Sequence, residues 1–289
     1  MAISQEGRTM NVTSPLGDDK LLLTSLSAWE KISGLFRFDC TFVSEDDSVV
    51  FEDIIGQGVG LELEMASGEP RYFHGMVASF SQSDSEGDNV IYRAQLVPWL
   101  WFLTRSTDCR IFQKKSVTAI IEEVFSDHGY SDFTIDTASY PDIPYTVQYR
   151  ETDFAFISRL MEEWGIAYYH SHSADGHQCV LYDAPSKVVE CPGQGEASYE
   201  SQSDDHTAGM VYEWHARRDF RPGKYALRDY TFNDPSLDLG VEKTAQTPVG
   251  GNDRFEVYDY PGRYKALGDG DKRAETRMEA EECAAHLIE

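Results

Sequence analysis

Three histidines within eight residues, His170, His172 and His177, are the densest group of side chains that could do chemistry. Imidazoles at this spacing could approach one metal ion, since neutral imidazole is a common zinc ligand. The sequence places no cysteine or supporting carboxylate convincingly nearby, and Asp175-Gly176 predicts a hairpin turn between the histidines. We therefore predict no metal site and interpret the three histidines as solvated residues at a hairpin tip.

Two glycine-containing segments superficially suggest phosphate or calcium binding. Residues 56–60 read Gly-Gln-Gly-Val-Gly, but a strand pattern follows them, so no helix amino terminus is available to receive a phosphate. Residues 269–271, Asp-Gly-Asp, lack the spacing and closing glutamate of an EF-hand, and these acids favour a helix start instead. We predict that the chain binds no cofactor.

The sequence also lacks a recognisable catalytic motif. It contains no Gly-x-Ser-x-Gly elbow, His-Glu-x-x-His pair or Walker loop, and no nucleophile is paired with a base. Acidic pairs such as Glu62 and Glu64 are expected by chance in a chain with 50 acidic residues. We predict that the chain is not an enzyme. The alternative is an envelope-targeting hydrolase that uses two carboxylates as acid and base.

The formal net charge of −25 repels phosphate backbones and anionic membranes, which argues against nucleic acid as a partner. The amino terminus lacks the pattern of a signal peptide, and no apolar run is long enough for a membrane span, so we expect cytoplasmic synthesis without membrane insertion. The five scattered cysteines indicate reduced thiols. A cytoplasmic adaptor that binds a basic partner through its acidic surface is a further alternative.

The elements that must position these residues predict an α+β fold that is mainly β. In residues 1–110 period-two alternation, as at Phe38, Cys40 and Phe42, predicts antiparallel strands that close into a small barrel. Residues 111–189 add two helices and read as an α+β insertion. Residues 190–289 predict a second β-barrel-like domain. Its terminal helix, Lys272 to Ile288, stops without a cap, and we therefore expect the protein to continue beyond it.

Both insertion helices have chemically marked ends. Ser116 is an N-cap for the first helix, which ends at Gly129. In the second, Thr152 can cap the first turn, Asp153 complements the helix dipole and Gly165 suits a left-handed stop. An apolar stripe predicts one buried face for this second helix and comprises Phe154, Ile157, Leu160, Met161 and Trp164.

The stretch from Gln148 to Tyr168 resembles the signature of VgrG proteins, the tip spikes of bacterial type VI secretion systems. The resemblance extends to residues 14–38 and 258–264, and so covers most of the chain. Caps and apolar periodicity serve folding first, so we expect these residues to build the insertion. The matching signature residues are Tyr149, Glu151, Thr152, Asp153, Phe156, Arg159, Leu160, Glu162, Gly165, Ile166 and Tyr168.

The resemblance implies a trimeric hub like that of contractile phage baseplates, with two β-barrel-like domains and an α+β insertion. Such a hub joins the secretion tube to a needle and helps deliver effectors into target cells. Its implied partners are further copies of itself, tube protein, baseplate components, and effector or adaptor proteins. It would be assembled in the cytoplasm and secreted through the type VI system. Repulsion between chains of charge −25 predicts weak or salt-dependent self-association.

Aromatic clusters offer contact anchors, although we favour a core position for each of them. They comprise Trp99, Trp101, Phe102, Tyr225, Tyr230, Tyr258 and Tyr260. The segment Tyr260-Pro261-Gly262-Arg263 is the one that we expect to form an exposed interaction turn.

Overall fold

Alternating apolar residues build the first sheet, because side chains two positions apart on a strand share one face. Phe38, Cys40 and Phe42 are at most 2% exposed in the computed structural model. The structure describes residues 4–65, 68, 70–86, 89–190, 196–199, 211 and 213–288. The strands of the first sheet are β1 Met10–Thr13, β2 Leu22–Trp29, β3 Arg37–Ser44, β4 Gly58–Glu64, β5 Pro70–Glu86 and β6 Asn89–Val97.

This antiparallel sheet curls into a half-barrel with the order β1-β4-β5-β6-β3-β2. Its edge strands approach each other without forming a ladder, and the Arg8 guanidinium donates to the Leu23 carbonyl at 2.8 Å across the gap. Large apolar side chains fill the concave side, including Phe36, Leu61 and Tyr92, each at most 1% exposed. The predicted β structure of this region is confirmed.

The chain then forms two small sheets and two helices. Strand β7 pairs antiparallel with β9, while β10 and β11 form a hairpin whose second strand pairs in parallel with β8. The elements are β7 Thr107–Phe112, α1 Val117–Asp127, β8 Phe133–Asp136, β9 Thr146–Thr152, α2 Asp153–Trp164, β10 Ala167–His172 and β11 His177–Tyr182.

The predicted ends of α1 are confirmed in detail. The Ser116 hydroxyl accepts from the Ala119 amide at 3.2 Å, which satisfies an unpaired donor of the first turn. Gly129 has a φ of 77°, and the Tyr130 amide donates to the Phe125 carbonyl at 3.0 Å. A left-handed glycine therefore ends this helix.

The last hundred residues contribute a three-stranded sheet covered by a helix. Strands β14 and β15 flank β13, and α3 packs Ala274 and Met278 against Tyr225, Leu227 and Leu239. The elements are β12 Ala216–Arg218, β13 Lys224–Asp229, β14 Leu239–Thr244, β15 Glu256–Asp259, α3 Leu267–Ala285 and β16 His286–Ile288.

Two predicted boundaries in this region are wrong. The terminal helix begins at Leu267 rather than Lys272, and Gly270 lets it pack closely on the Tyr264 ring. Residues 286–288 are a strand, because their backbone pairs with β12 and this tertiary pairing overrides the helical pattern. The strand pattern of the sequence also spans residues 224–232 and 254–260, and β13 and β15 are shorter than these ranges.

The chain divides into two compact units, one of residues 1–162 and 166–195 and the other of residues 163–165 and 196–289. The three-part division at residues 110 and 189 stays a prediction. The sequence also predicts turns at Ser67-Gly68 and Glu86-Asp88, a strand Met210–Trp214 and a loop of residues 190–205. These segments and Cys191 lie wholly or partly outside the described residues.

Candidate functional site

Helix α2, which forms the middle of the signature segment Gln148–Tyr168, begins with the cap that the sequence predicted. The Thr152 hydroxyl accepts from the Ala155 amide at 3.1 Å at the start of α2. At the other end Gly165 has a φ of 68°, and the Ile166 amide donates to the Met161 carbonyl at 2.9 Å. This is the predicted bond pattern of a glycine stop, so both ends of α2 are fixed by local chemistry.

Asp153 is the centre of a buried charged network that the sequence did not reveal. The carboxylate is 2% exposed and pairs with the Arg110 guanidinium on β7. It also accepts from Gln148 Nε2 at 2.8 Å and lies 2.7 Å from His128 Nε2. We refer to Arg110, His128, Gln148 and Asp153 as the Asp153 network. It connects β7, β9, α2 and the end of α1.

The environment of Asp153 favours its ionised form. Burial alone would raise the pKa of this carboxyl, but hydrogen bonds from Gln148 and His128 and the charge of Arg110 outweigh burial. The net effect is a pKa below the usual value of 3.8. The buried charge is compensated on all sides, as a buried carboxylate requires.

A second ion pair, between Arg159 and Glu151, lies within the signature segment. Arg159 holds Glu151 with both Nε and Nη2, at 2.8 to 3.1 Å, and Nη2 also donates to the Val147 carbonyl at 2.6 Å. The Arg159 guanidinium lies 5.0 Å from the centre of the Phe156 ring. Arg159 thereby joins β9 to α2.

The buried side of α2 differs slightly from the predicted stripe. Phe156, Ile157, Leu160 and Met161 are at most 3% exposed, whereas Phe154 is only half-buried. Trp164 is also half-buried. The buried side is rotated because Asp153 turns inward to meet Arg110, which brings Phe156 onto the Phe112 ring at 5.4 Å.

Not every signature residue lies inside the fold. Ile166 and Tyr168 are buried, but Tyr149 is 64% exposed and Glu162 is exposed too. Tyr149 lies beside Ile111 and Val147 on the outer face of the β7–β9 sheet, where Ile111 is 60% exposed. Tyr149 and Glu162 are therefore not explained by packing.

The interpretation of the histidines as solvated residues is wrong. Strand β10 continues to His172, and His177 begins β11, so both belong to the ladder. The side chain of His172 is 8% exposed, His177 is 6% exposed, and Nε2 of His170 is enclosed without a hydrogen-bond partner in the structure. These residues were misplaced because packing against the first sheet cannot be read from local sequence.

The three histidines join His74 of β5 around the ring of Phe36. The centre of that ring lies 5.0 Å from His170, 5.0 Å from His172 and 5.3 Å from His177. Nδ1 of His74 lies 2.9 Å from Nδ1 of His177. We refer to these four histidines as the histidine cluster. Within the described part of the chain, no group of His, Cys, Asp or Glu has an arrangement that could hold a metal ion.

Burial favours the neutral form of His74, His170 and His177. It lowers the pKa of His177 to about 2, with the other three histidines adding to the effect. The pKa of His170 is lowered to about 3 by burial and by His172. Burial and His172 also lower the pKa of His74, although Asp132 and Asp175 oppose this. Charging the interior of this site is therefore costly.

The aromatic predictions are partly wrong. Trp99 and Tyr225 are buried, but Tyr230 and Tyr258 are 57% and 58% exposed. Tyr260 is 56% exposed, as expected for its turn. Tyr258 is exposed because α3 covers only one face of the sheet that β13 and β15 form, whereas Tyr230 and Tyr260 lie just beyond the ends of these strands.

The segment Tyr260–Arg263 has a mixed environment. Tyr260, Pro261 and Arg263 are exposed, while Gly262 is buried against Tyr264.

Among the described residues, no helix is long and apolar enough to span a bilayer.

Comparison with known proteins identifies relatives over nearly the whole chain. The family described as phage tail baseplate hub (GPD) matches residues 29–289. The type VI secretion system spike proteins VgrG1b and VgrG1c of Pseudomonas aeruginosa are 38% and 40% identical, each match covering 97% of this chain. The chain spans 38% and 39% of the length of these two proteins. These matches confirm the resemblance of the signature segment.

The fold has relatives among solved structures as well. The E. coli c3393 protein, a type VI secretion component with structural similarity to T4 bacteriophage tail proteins gp27 and gp5, superimposes with a TM-score of 0.57 at 24% identity. The alignment covers 74% of this chain and 55% of that protein. The likeness confirms the predicted mainly β fold of the phage hub type.

Proposed function

The chain belongs to the phage tail baseplate hub family, and on that premise we propose that it forms the hub of a type VI secretion spike. The observation that carries this proposal is the match to spike proteins over 97% of the chain. It includes the half-barrel, the insertion and the second unit. A fold shared with phage tail proteins supports the same role.

We propose that three copies form the hub in the full-length protein, with the tube on one side and the needle on the other. The further proposed partners are baseplate components and effector or adaptor proteins. Assembly in the cytoplasm precedes secretion through the type VI system. In this proposal residues 1–110 and 190–289 form the two barrel-like parts, and residues 111–189 are the insertion.

We propose that the role of this chain is mechanical rather than catalytic. The buried carboxylate of the signature, Asp153, is held by Arg110 and His128, so it serves an ion pair rather than proton transfer. The proposal involves no cofactor. The acidic composition keeps nucleic acid a poor partner.

Two surfaces are offered for contacts in the assembled hub. Tyr260 and Arg263 remain the proposed interaction turn, since aromatic and arginine side chains are enriched in interfaces. Tyr149 is exposed although it belongs to the signature, which makes it the signature residue best placed for contact.

Co-expression of the full-length protein with the tube protein of the same system tests the proposal. We expect a complex that contains three copies of the hub, measured as the mass of the purified assembly. A full-length protein that stays monomeric and does not bind the tube would refute the hub role.

Light scattering of this chain alone at about 50 mM and about 500 mM salt tests self-association separately. Charge repulsion predicts that association strengthens with salt. A tight trimer that ignores salt would show that an apolar interface outweighs the net charge.

A further inference from the structure

The histidine cluster joins two parts of the first unit that are distant in sequence. His74 belongs to β5 of the half-barrel, and Phe36 precedes β3, whereas the other three histidines lie on the β10–β11 hairpin. His177 also contacts the segment after β6, because the Trp99 amide donates to its Nε2 at 2.9 Å. The cluster is therefore one polar contact between this hairpin and the half-barrel, beside the two hydrogen bonds that join Ser33 to Tyr168.

The hydrogen bonds of the cluster define where each proton lies. Backbone amides only donate, so Nε2 of His177, which accepts from Trp99, carries no proton. The His177 proton then lies on Nδ1 and is donated to Nδ1 of His74 at 2.9 Å. The His74 amide donates to Nδ1 of His172 at 3.1 Å, which leaves the His172 proton on Nε2, 2.9 Å from Glu30 Oε1.

These bonds require neutral rings, because an imidazolium has two donors and no acceptor. A second proton on His177 would turn an N–H towards the Trp99 amide. A proton on Nδ1 of His74 or His172 would replace an acceptor in the same way. A proton taken up by the accepting nitrogen of His74, His172 or His177 therefore removes a bond between the hairpin and the half-barrel.

Few countercharges face the cluster. Glu30 contacts His172, but it is shared with Arg71, whose guanidinium lies 4.0 Å away. The charges of Asp132 and Asp175 act on His74 and oppose the lowering of its pKa. The Tyr168 ring, 5.7 Å from His170, and the thiol of Cys179 are uncharged neighbours. Two or more imidazolium ions here would repel each other with little compensation.

We propose that the histidine cluster is an acid-sensitive latch that locks the β10–β11 hairpin onto the half-barrel at neutral pH and releases it when the imidazoles take up protons. This proposal goes beyond the hub role and does not depend on it. The hairpin carries the carboxyl end of the signature, Tyr168, so release would expose this part of the insertion.

The direction of the pH effect follows from the lowered pKa values. A released histidine takes up its proton near pH 6.5, whereas His177 in the latch does so only near pH 2. Acidification below pH 6.5 therefore favours the released state. At pH 5 each such histidine lowers the ratio of latched to released molecules by about 30-fold.

Hydrogen exchange of the full chain near pH 7.5 and pH 5 tests the latch. After correction for intrinsic rates, we expect the amides of residues 167–182 to exchange at least about 30-fold faster at the lower pH. Helix α3 of the second unit is the internal reference and should change little. Equal protection of the hairpin at both pH values, or equal acceleration in α3, would overturn the proposal.

A variant separates the cluster from general acid effects. His170→Leu removes an imidazole whose enclosed Nε2 makes no hydrogen bond, and it should reduce the acid-induced acceleration by about 30-fold. The matched control, His215→Leu, alters a histidine whose side chain is 66% exposed and should leave the acceleration unchanged. Full acid sensitivity in His170→Leu would contradict the latch.

If His170→Leu does not fold, nitrogen NMR of the wild-type histidines tests the latch through their protonation states. At neutral pH the latch requires a proton on Nδ1 of His177 and on Nε2 of His74 and His172. An imidazolium at any of these three positions at pH 7 would overturn the proposal.

Discussion

The Asp153 network and the histidine cluster are both buried and polar, yet they use opposite electrostatic solutions. Asp153 is ionised and is surrounded by an arginine, an amide and a histidine. The hydrogen bonds of the histidine cluster instead require neutral rings. The Asp153 network keeps its stabilising effect until the carboxylate is protonated, whereas the histidine cluster loses its stabilising effect as soon as histidine titrates.

Among the variants that test this comparison, Asp153→Asn has the largest expected effect on stability. The substitution leaves the Arg110 guanidinium without its buried partner, and we expect the free energy of unfolding to fall by about 3–5 kcal/mol. Urea denaturation measures the loss. The control is Asp127→Asn, which removes the 56% exposed partner of the same arginine and should cost less than about 1 kcal/mol. Equal costs for the two variants would show that burial does not distinguish them.

The next test measures the difference in stability between His177→Gln and the wild type at two pH values. At pH 8 the variant should be less stable, because the ring bonds to Trp99 and His74 are lost. The wild type loses stability as the pH falls below 6.5, since the unfolded chain then binds a proton that the folded His177 does not. The stability difference should therefore shrink by about 2 kcal/mol at pH 5.

The pH dependence of the stability lost in Asp153→Asn is a further test of the same comparison. The pKa of Asp153 is lowered, so its stabilising effect is fully present above the ordinary value of 3.8 and is lost only as the pH falls further. Chemical denaturation should give the same cost for Asp153→Asn at pH 8 and pH 5. A cost that falls as steeply as that of His177→Gln would remove the distinction between the two clusters.

The smallest expected effect is that of Gly165→Ala. The residue has a φ of 68°, a conformation that costs an L side chain about 1–2 kcal/mol. An added Cβ would also meet Thr276 Cγ2 at 3.0 Å within the second unit. Gly176→Ala has open space and should leave the melting temperature nearly unchanged. Equal melting temperatures for the two variants would disprove the role assigned to the glycine stop.

The sequence predicted what local chemistry determines. Ser116, Thr152 and Gly165 form their caps with residues at most a few positions away, so their types and spacing identify both helices. The family resemblance identified the hub fold, because it rests on many matched positions.

The two buried clusters were missed because their members are distant in sequence. Trp99 and His177 are 78 residues apart, and Arg110 and Asp153 are 43 apart. No spacing rule connects such pairs. Strand pairing brings them together, and burial then changes their chemistry. Tyr258 was misplaced for a related reason, since nothing in its local pattern shows which face of the sheet the last helix covers.

The central claim is that the signature segment identifies the hub because it builds the insertion, while contact with partners falls to exposed residues. Leu160→Ala and Tyr149→Ser in the full-length protein test it, with melting temperature and tube binding measured on the same samples. We expect Leu160→Ala to lower stability by about 2–5 kcal/mol and to retain tube binding below its melting temperature. Tyr149→Ser should leave the melting temperature nearly unchanged. Loss of tube binding by Leu160→Ala at an unchanged melting temperature would contradict the account.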